Sequence, residues 1–317
     1  MKDVALIFPG QGSQKVGMGL EFYRNSPAAK SIFEQAEEVF KRGQVPASQG
    51  PCSLLKVIFE GPEETLTSTA YCQPAILTMS VAALKAFQDN PKFKEINVRF
   101  TAGHSLGEYS ALVAAGILDF AEALRLVQKR AGFMEEASRQ SQGAMAAVIG
   151  FDKDKLVVIC RQTGAEIANY NSLEQTVITG PKAKVEAAMD AIKAAGCPKV
   201  IPLVVSGGFH SSLMKPAAEK FALVLKEAKI NSSQIPVLSN VSGQPHGQAD
   251  QIRELLSRQV AESVQWVKCV EYMANQGITD FIEIGPGKVL KGLIRRINPA
   301  LSVFNIEKPQ DIEILAV

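Results

Sequence analysis

Short apolar runs alternate along the chain with longer segments in which apolar residues recur at helical spacing. The apolar runs predict strands at 4–8, 98–102, 235–239 and 279–284. They are continuous, as in V-A-L-I-F at 4–8, which is typical of strands covered by helices on both faces. The segments of helical period predict helices at 71–88, 105–116, 119–137, 212–229 and 263–275. This alternation predicts an α/β fold built on a mainly parallel sheet.

One stretch departs from this alternation. Residues 143–205 predict the order strand, helix, strand, strand, helix, strand, at 143–150, 152–163, 166–171, 175–180, 181–195 and 199–205. This βαββαβ order is the ferredoxin-like pattern. A short S-L-E link joins the two middle strands, and Pro181 stands where the first turn of a helix accepts proline. We therefore predict a small subdomain at 143–205, inserted into a large domain formed by 1–142 and 206–317.

Composition narrows the class of protein. The chain has 317 residues, 46% of them apolar and 21% charged, which argues against intrinsic disorder. With 34 Lys and Arg against 32 Asp and Glu, the net charge of +2 predicts no general affinity for nucleic acid or membranes. The five cysteines are scattered without C-x-x-C spacing, which argues against a disulfide framework or a structural zinc site. Scattered cysteines fit a reducing compartment, and no apolar run reaches the length of a membrane span, so we expect a cytoplasmic protein.

The segment G-H-S-L-G at 103–107 follows a predicted strand and precedes a predicted helix, which is the context of a nucleophile elbow. A serine on such a tight turn needs glycine neighbours, because the strand and helix backbones approach each other closely. The pattern indicates Ser105 as a nucleophile for acyl transfer and the Leu106 N–H as an oxyanion donor. The alternative is a helix-capping serine in a glycine-flanked turn.

A serine nucleophile needs a base, and the chain has three histidines. His104 adjoins the serine, and His246 lies in a Gly- and Pro-rich segment typical of a surface loop. His210 follows a predicted strand, where α/β folds place functional residues, so we predict His210 as the base. A structural or solvated loop histidine is the alternative. Between Ser105 and His210 no acidic residue stands at an obvious end of a core strand, so we expect a Ser–His dyad with the imidazole oriented by a backbone carbonyl.

The predicted helix 119–137 carries an arginine on its apolar face. Leu126, Arg130 and Met134 recur every four residues, so Arg130 falls on the side that should face the core. A buried guanidinium needs a partner, and its planar fork matches a carboxylate. Either a protein acid, Glu108 or Glu283, or an anionic substrate satisfies this requirement.

The N-terminal P-G-Q-G-S-Q follows the first predicted strand. Its spacing fails both the dinucleotide-binding and the P-loop patterns, because Lys15 and Met18 stand where glycine and lysine are needed. What remains is a tight glycine turn in which the backbone N–H of Gln11 is a candidate second oxyanion donor. A plain β-turn is the alternative.

Several motifs together resemble the malonyl-CoA:acyl-carrier-protein transacylases of bacterial fatty-acid synthesis. They are G-Q-G-S-Q at 10–14, G-H-S-L-G-E-Y-S-A at 103–111, Arg130, F-H-S-S-L-M-K-P-A at 209–217, V-Q-W at 264–266 and G-P-G-K-V-L at 285–290. The resemblance spans nearly the whole chain and implies an α/β-hydrolase-like core with an inserted ferredoxin-like subdomain. It implies that Ser105 forms the covalent acyl intermediate, that His210 is the base and that Arg130 binds the malonyl carboxylate. It further implies that Gln11 and Leu106 form the oxyanion hole and that Gln265 positions the imidazole.

The resemblance implies transfer of a malonyl group from malonyl-CoA to the pantetheine thiol of acyl carrier protein. The reaction passes through a malonyl-serine, is ping-pong, and requires no metal or other cofactor. We expect a monomer. A trans-acting polyketide-synthase acyltransferase or a serine thioester hydrolase of the same fold are the alternatives among enzymes. A catalytically silent binding module is the alternative outside enzymes.

Three basic residues near the C-terminus recur at helical spacing. Lys288, Lys291 and Arg295 form a ridge, while Leu290, Leu293, Ile294 and Ile297 are expected to face inward. We predict that this ridge docks the acidic carrier protein; a solvated helix face is the alternative.

Overall fold

The computed structural model describes residues 1–43 and 53–315, which divide into two compact units. The first unit comprises Met1–Lys129, Ala228–Leu238 and Met273–Val317, and the second comprises Arg130–Glu227 and Ser239–Tyr272.

The described residues form eight strands and fourteen α-helices. The strands are β1 (Lys2–Phe8), β2 (Ile96–Gly103), β3 (Gly143–Ile149), β4 (Glu166–Tyr170), β5 (Gln175–Pro181), β6 (Lys199–Pro202), β7 (Asp280–Ile284) and β8 (Ser302–Ile306). The α-helices are α1 (Leu20–Asn25), α2 (Pro27–Gly43), α3 (Leu54–Glu60), α4 (Glu63–Thr67), α5 (Thr69–Asp89), α6 (Gly107–Ala114), α7 (Phe120–Gln140), α8 (Lys153–Thr163), α9 (Lys182–Ala194), α10 (Lys215–Lys226), α11 (Ala249–Gln259), α12 (Trp266–Asn275), α13 (Val289–Ile297) and α14 (Pro309–Glu313). Two 3₁₀-helices span Pro91–Glu95 and Ser212–Met214.

A parallel sheet with the strand order β2-β1-β7-β8 organises the first unit. The side chains of Val4–Phe8 in β1 are all buried, as their continuous apolar run predicts. Parallel strands end at a common edge, and Phe8 of β1 pairs with Gly103 of β2 at that edge. The loops after these strands therefore begin side by side, in the position where open α/β sheets carry ligand sites.

The turn after β7 lies against the loop after β1. Gly285 has a φ of 141°, and a Cβ on this residue would come within 2.8 Å of the Pro9 ring. Glu283, at the end of β7, is buried and accepts the backbone N–H groups of Leu290 and Lys291 at 2.9 Å each. Burial raises the pKa of this carboxyl to about 7, against the two backbone bonds, which act in the opposite direction. These bonds fix the start of α13 to the sheet.

An antiparallel sheet with the strand order β4-β5-β3-β6 lies in the second unit. Helices α8 and α9 pack on it through a core cluster that includes Leu156, Cys160, Val185, Ala188 and Ile192. The predicted βαββαβ order is confirmed, and with it the predicted fold class of a parallel α/β sheet plus a ferredoxin-like sheet. The predicted bounds of the subdomain, 143–205, stay a prediction.

Three sequence-based assignments differ from the structure. The predicted strand 235–239 is reduced to a single bridge between Val237 and Thr101, because Pro236 has no N–H to extend the ladder. Strand β6 ends at Pro202 rather than at 205. Strand β8, which completes the parallel sheet, has no counterpart among the predicted strands.

None of the described helices is both long and apolar enough to cross a membrane.

Candidate active site

In the first unit, the turn between β2 and α6 presents Ser105. This serine has a φ of 49°, in the left-handed region that residues with a side chain rarely adopt. The Gly107 N–H donates to the His104 carbonyl at 2.9 Å, and the Glu108 N–H donates to the Ser105 carbonyl at 3.2 Å, so the chain turns directly into α6. Ser105 thus stands at the N-terminal end of a helix, where the helix dipole favours developing negative charge.

Two glycines permit this turn. A Cβ on Gly103 would overlap the backbone of Gly107, and a Cβ on Gly107 would overlap the carbonyl oxygen of Phe8. Helix α6 therefore begins in backbone contact with the ends of both β1 and β2. This is the geometry that the G-x-S-x-G pattern requires of a nucleophile elbow.

The glycine turn after β1 adjoins the elbow. A Cβ on Gly10 would overlap the carbonyl oxygen of His104, so the two loops are in backbone contact. The turn is closed internally, because Ser13 Oγ donates to the Gly10 carbonyl at 2.8 Å and the Gly12 N–H donates to Gln14 Oε1 at 2.8 Å. The structure thus brings the Gln11 loop next to the segment that carries Ser105 and Leu106.

In the second unit, His210 has the other positive φ of a described non-glycine residue, 56°. Its side chain is buried, and Nδ1 lies 2.8 Å from the carbonyl oxygen of Gln259. A carbonyl oxygen only accepts, so in the neutral ring Nδ1 carries the proton and Nε2 carries the lone pair. This tautomer is the one a general base needs. The sequence predicts that a backbone carbonyl orients the imidazole but does not say which one. In the structure the carbonyl at Nδ1 is that of Gln259.

Arg130 lies in the same unit and shares a partner with the histidine. Its side chain is 1% exposed, on the apolar face of α7 that the sequence predicts. Nη2 donates to Oε1 of Gln259 at 2.9 Å, a partner that the sequence does not predict. Glu283, one of the two acids that the sequence offers as a partner, accepts backbone N–H groups on both of its carboxylate oxygens. Gln259 is uncharged, so its contact orients the guanidinium without neutralising it.

A cavity of about 430 Å³ in the second unit has His210 in its wall. Gln265 also lines this cavity, and its backbone N–H donates to the Asn240 carbonyl at 2.7 Å. The contact to the imidazole Nδ1 comes from Gln259, so the positioning role of Gln265 stays a prediction. Nothing in the local sequence singles out Gln259, because its carbonyl is a group that every residue has.

Sequence comparison assigns the chain to a family. Residues 5–300 match the acyl transferase domain. The chain belongs to the acyl transferase family. It is 43% identical to the malonyl CoA-acyl carrier protein transacylase of Bacillus subtilis, over 99% of this chain and 96% of that protein. It is 42% identical to the transacylase of the same name from Escherichia coli, over 98% of this chain and 97% of that protein.

Solved structures of other acyl transferases have the same fold. An acyl carrier protein S-malonyltransferase from Vibrio cholerae superposes with a TM-score of 0.91 at 38% identity, covering 99% of each chain. A malonyl-transacylase in complex with its type II PKS acyl-carrier protein also superposes with a TM-score of 0.91 at 38% identity, covering 99% of this chain and 98% of that one.

Among residues 1–43 and 53–315, no group of three or more His, Cys, Asp or Glu side chains is placed to hold a metal ion.

The backbone conformation of Ser105 generates a stability prediction. Glycine adopts a φ of 49° without steric cost, whereas alanine retains the strain of the serine. We expect Ser105→Gly to be more stable than Ser105→Ala by about 0.5–1 kcal/mol, although glycine gains more freedom on unfolding. Chemical denaturation of the two variants measures this difference. An alanine variant as stable as the glycine variant would mean that the elbow holds no strain.

Proposed function

We propose that this acyl transferase moves a malonyl group from malonyl-CoA to the pantetheine thiol of acyl carrier protein and so supplies fatty-acid synthesis. The observation that carries the proposal is the double role of Gln259. Its carbonyl orients the His210 base, and its side chain orients the buried cation of Arg130. One residue thus fixes both a base for thioester chemistry and a group that fits a carboxylate. The names and 42–43% identities of the two bacterial relatives agree with this function.

The chemistry follows from the groups described. Ser105 Oγ attacks the malonyl thioester carbonyl while His210 Nε2 takes the hydroxyl proton. The N–H groups of Gln11 and Leu106 stabilise the tetrahedral oxyanion. The C–S bond then breaks, and His210 returns the proton to the departing CoA sulfur. In the second half-reaction the carrier thiol attacks the malonyl-serine by the same steps, so one thioester replaces another and the exchange is ping-pong.

Arg130 gives this scheme its substrate preference. Burial strengthens the attraction of its guanidinium for a carboxylate, because little water is present to screen the charge. The malonyl group ends in a carboxylate that matches the guanidinium fork, whereas an acetyl group does not. We therefore assign the free carboxylate of the acyl group to Arg130.

The alternatives differ in what resolves the acyl-enzyme or in where the product goes. A thioester hydrolase uses water instead of a thiol and has no need of a carboxylate-binding arginine. A polyketide acyltransferase performs the same chemistry on another carrier, as does the solved malonyl-transacylase that is bound to a type II PKS carrier. The names of the bacterial relatives favour neither alternative. A silent binding module would form no covalent adduct.

We further propose that the enzyme acts as a monomer in the cytoplasm. All residues assigned to the reaction come from one chain, and none of the four described cysteines is in a disulfide. Light scattering of the purified protein tests the oligomeric state.

The carrier-docking surface is proposed to be the ridge formed by Lys288, Lys291 and Arg295. In its support, Lys288 and Arg295 are exposed at α13, while Leu290, Leu293, Ile294 and Ile297 on the same helix are buried. A basic ridge on a firmly packed helix suits an acidic partner, because complementary charge steers the encounter. The solved complex of a relative with its acyl-carrier protein agrees with a protein acceptor.

Covalent loading tests the nucleophile and the base. After mixing with malonyl-CoA, intact-mass measurement should show one malonyl adduct, which peptide mapping should place on Ser105. Ser105→Ala should give no adduct, and His210→Ala should slow loading by about 10²–10⁴-fold, the usual contribution of a general base. His246→Ala is the matched control and should load at the normal rate. A labelled peptide elsewhere, or inactivation by the control, would contradict the assignment.

Acyl preference tests Arg130. Loss of one member of a buried charge pair typically costs about 2–5 kcal/mol, so Arg130→Ala should lose malonyl transfer by at least about tenfold. The acetyl transfer rate should stay unchanged or increase. Arg130→Lys should restore only part of the malonyl transfer rate, because a point charge cannot reproduce the planar fork of the guanidinium. Parallel malonyl and acetyl rates on the folded variants measure this. Equal losses of both activities would assign Arg130 a structural role instead.

Carrier kinetics test the basic ridge. Reversing the charge of both Lys288 and Lys291 to Glu should raise the KM for the carrier by at least about threefold and weaken its dependence on salt. Loading from malonyl-CoA should be unchanged. Lys30→Glu on α2 is an exposed control of the same charge type and should leave the carrier KM unchanged. An unchanged KM in the double variant would reject the docking surface.

A further inference from the structure

The loop that carries His210 is fixed to the ferredoxin-like sheet on the residue before the histidine. Thr179 Oγ1, in β5, donates to the Phe209 carbonyl at 2.9 Å. Gly208 lies against the sheet backbone, since a Cβ on it would come within 3.1 Å of the Gly180 carbonyl oxygen. A histidine with a φ of 56° needs such restraints, because a free loop would relax to a more favourable conformation.

The residue two positions after His210 is fixed by a carboxylate. Glu166, the first residue of β4, accepts the Ser212 N–H at 3.1 Å on Oε1 and 3.0 Å on Oε2, and it accepts the Ser212 hydroxyl at 2.6 Å. Ser212 begins the 3₁₀-helix that leads into α10. Bonds to a carboxylate are stronger than bonds between neutral groups, so Glu166 is a strong restraint on this side of the histidine. It acts beside the buried Ser211 hydroxyl, which donates to the Gly208 carbonyl at 2.6 Å.

Glu166 also shares the cavity of the base. It lines the same 430 Å³ cavity as His210, and it pairs in register with Thr179 across β4 and β5. Neighbouring positions of the sheet thus hold the histidine loop at both ends, Thr179 through Phe209 and Glu166 through Ser212. A displacement of about 1 Å in a catalytic group can cost on the order of 10² in rate.

We propose that Glu166 is a positioning residue, which through Ser212 holds the His210 imidazole in the orientation that general-base catalysis requires. The proposal rests on the assignment of His210 as the base. The competing role is that of an ordinary cap, in which the carboxylate stabilises the start of α10 and has no influence on the chemical step. The two roles differ in whether the effect of removing Glu166 depends on His210.

A double-mutant cycle on the full-length enzyme separates them. The rate constant for loading by malonyl-CoA is measured in single turnover, together with the malonyl-CoA concentration that gives half the maximal rate. Glu166→Ala should lower the rate constant by at least about tenfold and leave that concentration unchanged. In a His210→Ala background, Glu166→Ala should change the rate constant by less than about twofold, because the base on which it acts is gone.

Two further variants keep the test decisive. Glu166→Gln retains one acceptor oxygen and should recover part of the rate lost in Glu166→Ala, which also covers the case in which the alanine variant does not fold. Asp152→Ala is the matched control, since Asp152 accepts the Lys155 N–H at 2.8 Å as the cap of α8 in the same unit. It should lower the melting temperature and leave the rate constant within about twofold.

The outcomes are distinct. Equal fold losses from Glu166→Ala with and without His210 would overturn the positioning role, as would a normal rate in Glu166→Ala. A normal rate in His210→Ala alone would instead overturn the assignment of the base, and with it the proposed function. The proposal is supported if the rate falls in Glu166→Ala and is partly recovered in Glu166→Gln, with no comparable loss in the Asp152 control or in the His210→Ala background.

Discussion

The start of helix α6 can meet the ends of strands β1 and β2 only because Gly103 and Gly107 have no side chains. A Cβ at either position would overlap the neighbouring backbone, and the chain could not pass from β2 into the helix within one tight turn. That turn puts Ser105 into its left-handed conformation and directs it to the helix N-terminus. Gly10 extends the same constraint to the loop after β1, so the Gln11 turn lies against the elbow.

In the second unit, the loop that carries His210 is also held in an unfavourable backbone conformation. His210 also has a positive φ, and polar contacts hold its loop, from Thr179 on one side and Glu166 on the other. Gln259 then fixes the ring through its carbonyl and the guanidinium of Arg130 through its side chain. The two contacts come from different parts of one residue, so a substitution at Gln259 removes the side-chain contact to Arg130 and keeps the main-chain carbonyl that His210 contacts.

Much of the fold was predictable because local patterns of apolar residues indicate its strands and helices. The continuous apolar run of β1 is the pattern of a strand buried on both faces, and its five residues Val4–Phe8 are buried. The ferredoxin-like order was readable from alternating short and helical periods. Strand β8 escaped prediction because a short strand at a sheet edge has only a few residues to show its period, and 235–239 failed because Pro236 interrupts the ladder.

The sequence by itself determined the candidates: Ser105 from its flanking glycines, His210 by elimination among three histidines, and Arg130 from its place on an apolar helical face. Tertiary structure alone decided their partners. The carbonyl that orients His210 lies 49 residues further along the chain, and the amide oxygen that meets Arg130 lies 129 residues away. Local periodicity reports which face of an element is buried but not what covers it. A backbone carbonyl carries no residue identity, so only the folded chain could assign that role to Gln259.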